Sequence, residues 1–139
     1  MSKVYLVRTQ SFSSSHRLHA HGLSEAQNKA LFGKCNHAAG HGHNYKVEVT
    51  LVGEVDPKTG ILYSLDDLKA AIEKAVMEPM DHKNLNVDVE EFQGPQGLNP
   101  TAENIAIVIW NRLLRQVPGG FLFQVKLWET DKNAVVFRG

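Results

Sequence analysis

Three histidines have the residue type and spacing of metal ligands: His41 and His43 in a Gly-His-Gly-His run, and His16 further upstream. Side chains alternate between the faces of a strand, so His41 and His43 would point the same way, about 7 Å apart along one face. A third imidazole from a neighbouring strand would complete three nitrogen ligands. Three protein ligands and an open fourth position are typical of catalytic zinc sites, whereas four protein ligands are typical of structural ones.

The only cysteine, Cys35, lies just upstream of the histidine pair. It could be a fourth metal ligand, or a nucleophile or base beside the metal. Its polar neighbours Lys34, Asn36 and His37 favour a functional thiol over a buried apolar filler. A thiol near zinc or another cation ionises more readily, and the thiolate is a competent base or nucleophile.

Asp81 and His82 are adjacent residues that follow a predicted helix. If His82 reaches Cys35, the Asp81 carboxylate could orient an imidazole that transfers protons. The position is equally compatible with His82 as a cation that interacts with the C-terminal end of the helix dipole.

Glu129 continues the odd-numbered apolar series that runs from Phe121 to Leu127. A carboxylate on an apolar face needs a donor partner. It could accept two parallel hydrogen bonds from the N–C–N edge of a ligand. Equally, the strand could end or bulge at this point and leave Glu129 in solvent.

The composition excludes several classes of protein. The 139 residues fit one domain, residues 1–139, and 15 basic and 15 acidic side chains argue against a broad nucleic-acid-binding surface. One cysteine cannot form an internal disulfide, as expected in a reducing compartment. The longest strongly apolar run, 105–110, is far below the ~18 residues that span a membrane, and residues 1–8 lack the apolar core of a signal peptide. We expect a soluble, cytoplasmic protein with no nucleic-acid or membrane partner.

The apolar periodicity predicts the strands. A first strand begins near residue 3 and carries His16 on its apolar face, and a second covers 43–51 with His43 on its buried face. A turn at 56–60 predicts that the second strand pairs with a short segment at 61–63. A third strand covers 121–127 with every odd-numbered residue on one face, and a fourth covers 134–137. His19, His21 and His37 lie in loop-like stretches and are expected at the surface.

Capping residues and apolar stripes predict the helices. Residues 24–32 are compatible with a short helix, and Ser64 caps a helix whose apolar stripe ends near Pro79. Thr101 caps another that runs to about Gln116, whereas 90–100 is predicted to be a loop. The element order predicts an α+β fold with an antiparallel sheet and helices on one face.

Six segments together resemble the 6-pyruvoyltetrahydropterin synthase family, and the resemblance covers nearly the whole chain. The segments are 11–18, 31–36, 40–45, 81–85, 101–104 and 128–130. The resemblance implies the tunnelling fold, in which each subunit has a four-stranded antiparallel sheet with two helices on one face. Three subunits would close their sheets into a barrel, and two such trimers would stack into a homohexamer.

The resemblance also implies roles for the candidate residues. His16, His41 and His43 would bind one zinc ion per subunit. Cys35, Asp81 and His82 would transfer protons. Glu129 would anchor the guanidine-like edge of a pterin in a pocket between subunits. Thr101 and Glu103 match a segment that lines this pocket, although Ala102 stands where some relatives carry a second Thr.

The implied reaction converts 7,8-dihydroneopterin triphosphate to 6-pyruvoyltetrahydropterin and triphosphate, a lyase step in tetrahydrobiopterin biosynthesis. Magnesium would accompany the triphosphate, because it binds phosphate oxygens without a dedicated protein cage. A rival hypothesis is 6-carboxytetrahydropterin synthase of queuosine biosynthesis, which cleaves the side chain of the same substrate. Five residues separate Cys35 from His41, and a gap of this length resembles that of the pyruvoyl enzymes. Two further hypotheses are a non-catalytic zinc- or pterin-binding module and a structural zinc site with Cys35 as fourth ligand.

Overall fold

The computed structural model describes residues 2–139, and a five-stranded sheet forms its centre. The strands are β1 (Lys3–His16), β2 (His41–Glu54), β3 (Lys83–Asn84), β4 (Leu122–Trp128) and β5 (Ala134–Phe137). Their order is β3-β1-β2-β4-β5, and every pairing is antiparallel except that of β3 with β1. The prediction of four strands, all antiparallel, was therefore wrong. The two-residue β3 is too short to show a period-2 pattern, and the contact of its flanking His82 N–H with the Ser13 carbonyl determines where it lies.

The predicted pairing of the second strand with residues 61–63 was also wrong. These residues form no strand; the Asp56 N–H donates to the Ile61 carbonyl at 3.0 Å and closes the turn. β2 pairs with β1 on one side and with β4 on the other. Both edges of β2 are thus filled by long-range partners, which the local turn signal at 56–60 cannot reveal.

A β-bulge changes the predicted alternation of the third long strand. Gln124 lies opposite Thr50 and Leu122 lies opposite Leu51, so Phe123 is the extra residue on β4. Phe123 is consequently half-buried and packs against Tyr5, with ring centroids 5.1 Å apart. The expectation that all odd-numbered residues from 121 share a buried face holds only for Val125 and Leu127.

The three predicted helical segments lie close to their predicted positions, but the short helix at Leu85–Asp88 was not predicted. The helices are α1 (Glu25–Phe32), α2 (Leu65–Ile72), α3 (Glu78–Met80), α4 (Leu85–Asp88) and α5 (Ala102–Gln116). A π-helical turn (Glu73–Met77) joins α2 to α3, and 3-10 turns cover Gly33–Asn36 and Glu90–Phe92. The predicted caps at Ser64 and Thr101 form, because each side chain accepts a backbone N–H of the first turn. Ser24 caps α1 in the same way, which was not predicted. Residues 90–100, predicted to be a loop, contain one 3-10 turn (Glu90–Phe92) in which Phe92 is buried.

The core lies on one face of the sheet. α5 packs on β4 and β5, and α2 packs on α5. Odd-numbered residues of β2, the apolar stripes of both helices, and Val125 and Leu127 fill the space between them. The opposite sheet face stays open, with Tyr5 and Val7 more than half exposed. Among residues 2–139, no helix has the length and apolarity needed to cross a bilayer.

Candidate metal centre and substrate pocket

The pairing of β1 with β2 brings the three predicted metal ligands together. His16 lies directly opposite His41, and His43 lies opposite Ser14, so His43 is the diagonal neighbour of His16. The three ring centroids are 4.8 to 5.1 Å apart. One nitrogen from each ring lies within 4.8 Å of the others. The structure thus confirms that these three imidazoles converge.

Burial favours the neutral, metal-binding form of His16 and His41. The pKa of His16 is lowered to about 4, mainly by desolvation and to a smaller extent by His41 and His43, although a hydrogen bond to the Pro100 carbonyl acts in the opposite direction. The pKa of His41 is also lowered, mainly by desolvation and then by His43. Since only a neutral imidazole can donate a lone pair to a metal, His16 and His41 need no deprotonation at neutral pH.

The hydrogen-bonding state of the site fits a bound cation. Both ring nitrogens of His41 and Nε2 of His43 are buried and have no hydrogen-bond partner. Buried polar atoms without partners are rare and costly, and each requires an explanation. A zinc ion held by three imidazoles would give a partner to one nitrogen of each ring and leave a position for substrate oxygens.

Two groups that orient His16 were not singled out from the sequence. The Pro100 carbonyl lies 2.8 Å from His16 Nδ1, and the Tyr45 hydroxyl lies 3.3 Å from the same atom. A second contact of this kind fixes which ring nitrogen faces a metal. Tyr45 shares the odd-numbered face of β2 with the histidines, so the alternation could have revealed it. Pro100 comes from a distant segment and carries no such signal.

Gly40 allows the histidine strand to begin where it does. Its φ of 76° lies in the left-handed region, and a Cβ at this position would lie 2.9 Å from the His16 carbonyl oxygen. Any other residue would therefore be strained and would press on the segment that holds His16.

Glu129 follows the last residue of β4 but does not extend into solvent. Its side chain is 25% exposed, and its carboxylate oxygens lie 3.9 Å from His43 Nε2 and 4.0 Å from His16 Nε2. The strand therefore ends at Trp128, yet the carboxylate still faces the histidines. Its charge raises the pKa of the Tyr45 hydroxyl, which burial raises most.

A cavity of about 370 Å³ lies next to this carboxylate. Its lining includes Glu129, Thr101 and Glu103, together with Leu18 and Phe32. The volume is within the range of small-molecule sites. The structure thus brings the three residues predicted to bind substrate to one cavity. The Thr101 hydroxyl already accepts the Asn104 N–H at 3.2 Å, so it also acts as a helix cap.

Cys35 is not one of the grouped ligands. It is half-buried in the 3-10 turn after α1, and its carbonyl accepts the Leu18 N–H at 2.9 Å. The group of nearby metal-ligating atoms contains only the three histidines among residues 2–139. This arrangement places the thiol outside the set of metal ligands.

Asp81 and His82 form a pair elsewhere on the subunit. Asp81 Oδ1 lies 2.9 Å from His82 Nδ1 and accepts the Ser13 N–H at 2.9 Å, which holds the pKa of this carboxyl below its usual range. His82 is 83% exposed. It lines a surface pocket with Ser13, Ser14, Ser15 and Gly42. Ser13 and Ser15 alternate to the face opposite the three histidines, whereas Ser14 shares the face of His16. Cys35 does not line this pocket, so one subunit does not bring the three proton-transfer candidates together.

Comparisons with known proteins agree with this arrangement. A family profile described as 6-pyruvoyl tetrahydropterin synthase matches residues 5–139. The human 6-pyruvoyl tetrahydrobiopterin synthase is 52% identical over 132 residues, which cover 95% of this chain and 89% of the relative. The enzyme of that name from Poecilia reticulata is 49% identical over 135 residues, which cover 97% and 90%.

A solved structure shows the same fold. The 6-pyruvoyl tetrahydropterin synthase of Caenorhabditis elegans superposes with a TM-score of 0.94 at 42% identity, over 100% of this chain and 97% of that chain. The match extends over the sheet, the helices and the segments that hold the three histidines. The chain therefore belongs to the 6-pyruvoyl tetrahydropterin synthase family.

Proposed function

We propose that this chain is a zinc-dependent lyase that converts 7,8-dihydroneopterin triphosphate to 6-pyruvoyltetrahydropterin and triphosphate, in tetrahydrobiopterin biosynthesis. The observation that carries the proposal is the group of three converging imidazoles beside a cavity that Glu129 lines. The relatives named above support the pyruvoyl product. The reaction is an internal redox shift with loss of triphosphate, so it needs no external oxidant or reductant.

The residues of the chain divide the chemistry between them. Zinc, when bound by the three histidines, would polarise the side-chain hydroxyls of the substrate and acidify the adjacent C–H bonds. The Glu129 carboxylate would accept two hydrogen bonds from the N–C–N edge of the pterin, while Thr101 and Glu103 line the same cavity. Cys35, as thiolate, would remove a carbon-bound proton. His82, oriented by Asp81, would return or relay protons.

The separation of His82 from Cys35 supports an active site that two subunits share. A largely exposed catalytic histidine is poorly placed to protect a reaction from water, whereas an interface would enclose it. β3 covers only Ser14 and Ser15 on the outer edge of β1, so the rest of this edge is unpaired within residues 2–139, as is the outer edge of β5. Joining such edges between three subunits would close a barrel and cover both. Stacking two barrels would give the homohexamer.

Two further properties belong to the same proposal. Magnesium would bind the triphosphate oxygens of the substrate, since this ion is usually held through phosphates and water. The single domain would work in the cytoplasm, because its one cysteine is a reduced thiol rather than half of a disulfide.

Product analysis tests the reaction directly. Purified protein incubated with 7,8-dihydroneopterin triphosphate should release triphosphate and a pterin with an intact three-carbon side chain, as separated by chromatography and identified by mass. A zinc chelator should abolish the reaction, and restoring zinc should recover it.

Different products would contradict the proposal in different ways. A carboxylated pterin with a two-carbon aldehyde would assign the chain to the queuosine branch and retain the metal centre. Zinc and pterin binding without turnover would indicate a binding module. Turnover that survives chelation would rule out zinc dependence.

Mixing two inactive variants tests the shared active site. Cys35→Ala and His82→Ala should each be inactive, because each lacks a group needed for proton transfer. If one subunit supplies the thiol and its neighbour the imidazole, randomly mixed oligomers should recover about a quarter of the parent activity. The variants would be co-expressed with different tags and purified together, and light scattering would give the mass of the mixed oligomer.

The control is a pair of substitutions at residues that the same subunit must supply to each active site. Co-expressed Asp81→Ala and His82→Ala chains should remain inactive, since every site then has a damaged Asp81–His82 pair. No recovery in the Cys35→Ala and His82→Ala mixture, despite confirmed mixed oligomers, would show that each active site belongs to one subunit.

A further inference from the structure

A second cavity, of about 750 Å³, lies beside the turn that carries Cys35. Its lining is basic although the whole chain has no net charge. We call it the basic pocket, and its polar lining comprises three cations, one histidine, one amide and one carboxylate: Arg17, Lys29, Lys34, His37, Asn36 and Glu25. A local excess of positive charge in a neutral protein indicates an anionic ligand.

The cations of the basic pocket are not neutralised by the protein. None of Arg17, Lys29 and Lys34 forms an ion pair among residues 2–139, whereas Arg112 forms one with Glu91 elsewhere. The Arg17 side chain is nevertheless fixed, because its Nε donates to the Asn36 carbonyl at 3.0 Å. A positioned guanidinium without a carboxylate partner is suited to bind phosphate oxygens.

The basic pocket is lined by residues that are adjacent in sequence to residues of the Glu129 cavity. Leu18 and Phe32 line the Glu129 cavity, and their chain neighbours Arg17 and Gly33 line the basic pocket. The Leu18 N–H donates to the Cys35 carbonyl and so joins the two chain segments that line both cavities. His16 and Cys35 occupy the same segments. The basic pocket therefore adjoins the two segments that carry the metal ligand His16 and the thiol of Cys35.

The charges that line the Glu129 cavity indicate that the phosphates of the substrate bind elsewhere. Glu103 and Glu129 line it and no Lys or Arg among residues 2–139 does, so it suits the neutral or donor-rich ring of a pterin and repels phosphate. A pocket formed near α5 combines Arg112 and Arg115 with Glu90 and Glu91, so its charges balance. The basic pocket, in contrast, carries two more cations than carboxylates.

We infer that the basic pocket holds the triphosphate of the substrate, with Arg17, Lys29 and Lys34 as its cationic contacts. This inference rests on the proposed function, since it identifies the leaving group as the ligand. The pocket is open to solvent at Lys29, Lys34 and His37, which provides an exit for triphosphate once its bond to the side chain has broken. Glu25 opposes the binding of the anion and limits its affinity, which favours release.

Titration calorimetry with inorganic triphosphate tests the inference without turnover. The zinc-loaded protein would be titrated in excess Mg²⁺, and its zinc content measured before and after. Lys29→Gln and Lys34→Gln should each weaken triphosphate binding about tenfold, because each removes one charge-assisted contact in a solvent-screened site. Glu25→Gln should strengthen it. Lys58→Gln, in the exposed turn at 56–60, removes the same charge elsewhere and should leave the affinity unchanged.

Steady-state measurements separate this inference from the proposed function. The two lysine variants should raise KM for the triphosphate substrate with little change in kcat, and should bind 7,8-dihydroneopterin, which lacks phosphates, as tightly as the parent. Parent-like triphosphate affinity in both lysine variants, or an equal loss in Lys58→Gln, would overturn the inference even if the parent forms the pyruvoyl product. Lysine-dependent triphosphate binding in a protein without turnover would support the pocket and contradict the reaction.

Discussion

Replacing His41 with alanine should remove zinc from the protein and lower turnover about 1000-fold, because a bound metal supplies several kcal/mol of transition-state stabilisation. His41 is one of three ligands, and two imidazoles cannot hold a catalytic zinc with comparable affinity. Zinc content by elemental analysis and kcat on the triphosphate substrate would measure the two effects.

The same substitution should not destabilise the metal-free protein, although it abolishes zinc binding. Both ring nitrogens of His41 are buried without a partner, so the alanine removes two unsatisfied polar atoms. The melting temperature of the metal-free variant should equal or exceed that of the metal-free parent. Zinc should raise the melting temperature of the parent only, because ligand binding stabilises the folded state by mass action.

The matched control is His21→Ala, which removes an exposed imidazole outside the group of three. It should keep zinc, activity and the zinc-dependent rise in melting temperature. A His41→Ala protein that binds zinc stoichiometrically and turns over normally would contradict the assignment of the metal centre.

Replacing Cys35 with alanine should have the second large effect, and the metal should stay. The thiol is outside the group of ligand atoms, so zinc content should remain at one per subunit. Turnover should fall about 100- to 10,000-fold, the usual contribution of a positioned proton-transfer group. Elemental analysis and kcat on the same preparation would show both results together.

The outcome distinguishes a catalytic thiol from a structural ligand. A Cys35→Ala protein that loses zinc and unfolds would indicate a closed, four-ligand structural site. Retained zinc with full activity would show that the thiol is neither ligand nor base. Cys35→Ser offers a second check, since a hydroxyl of similar size has a much higher pKa and should restore packing but little activity.

The metal centre could be predicted from the sequence because its geometry is local. Residues i and i+2 of a strand share a face, and the buried series that continues to Leu51 indicated which face His41 and His43 occupy. The parity of His16 and Phe12 indicated only the face of the third ligand. Its position opposite His41 depends on the register of β1 and β2, which is a long-range contact.

The features that sequence analysis missed depend on distant partners. β3 is two residues long and exists because His82 meets Ser13. The bulge at Phe123 is defined only when β4 lies beside β2. The orientation of His16 depends on the Pro100 carbonyl, and nothing in the local pattern of either segment connects them. The separation of Asp81 and His82 from Cys35 likewise follows from which sheet face each segment meets.

The backbone at His82 implies a trade-off between stability and activity. Its φ of 59° makes it the one described non-glycine residue in the left-handed region, a conformation that costs side-chain-bearing residues about 1 kcal/mol or more. Glycine would adopt it without strain, so His82→Gly should fold at least as stably as the parent while losing the imidazole. A sequence optimised for stability alone would therefore replace this histidine, and its strain is a cost of keeping at the subunit surface the imidazole that we propose transfers protons.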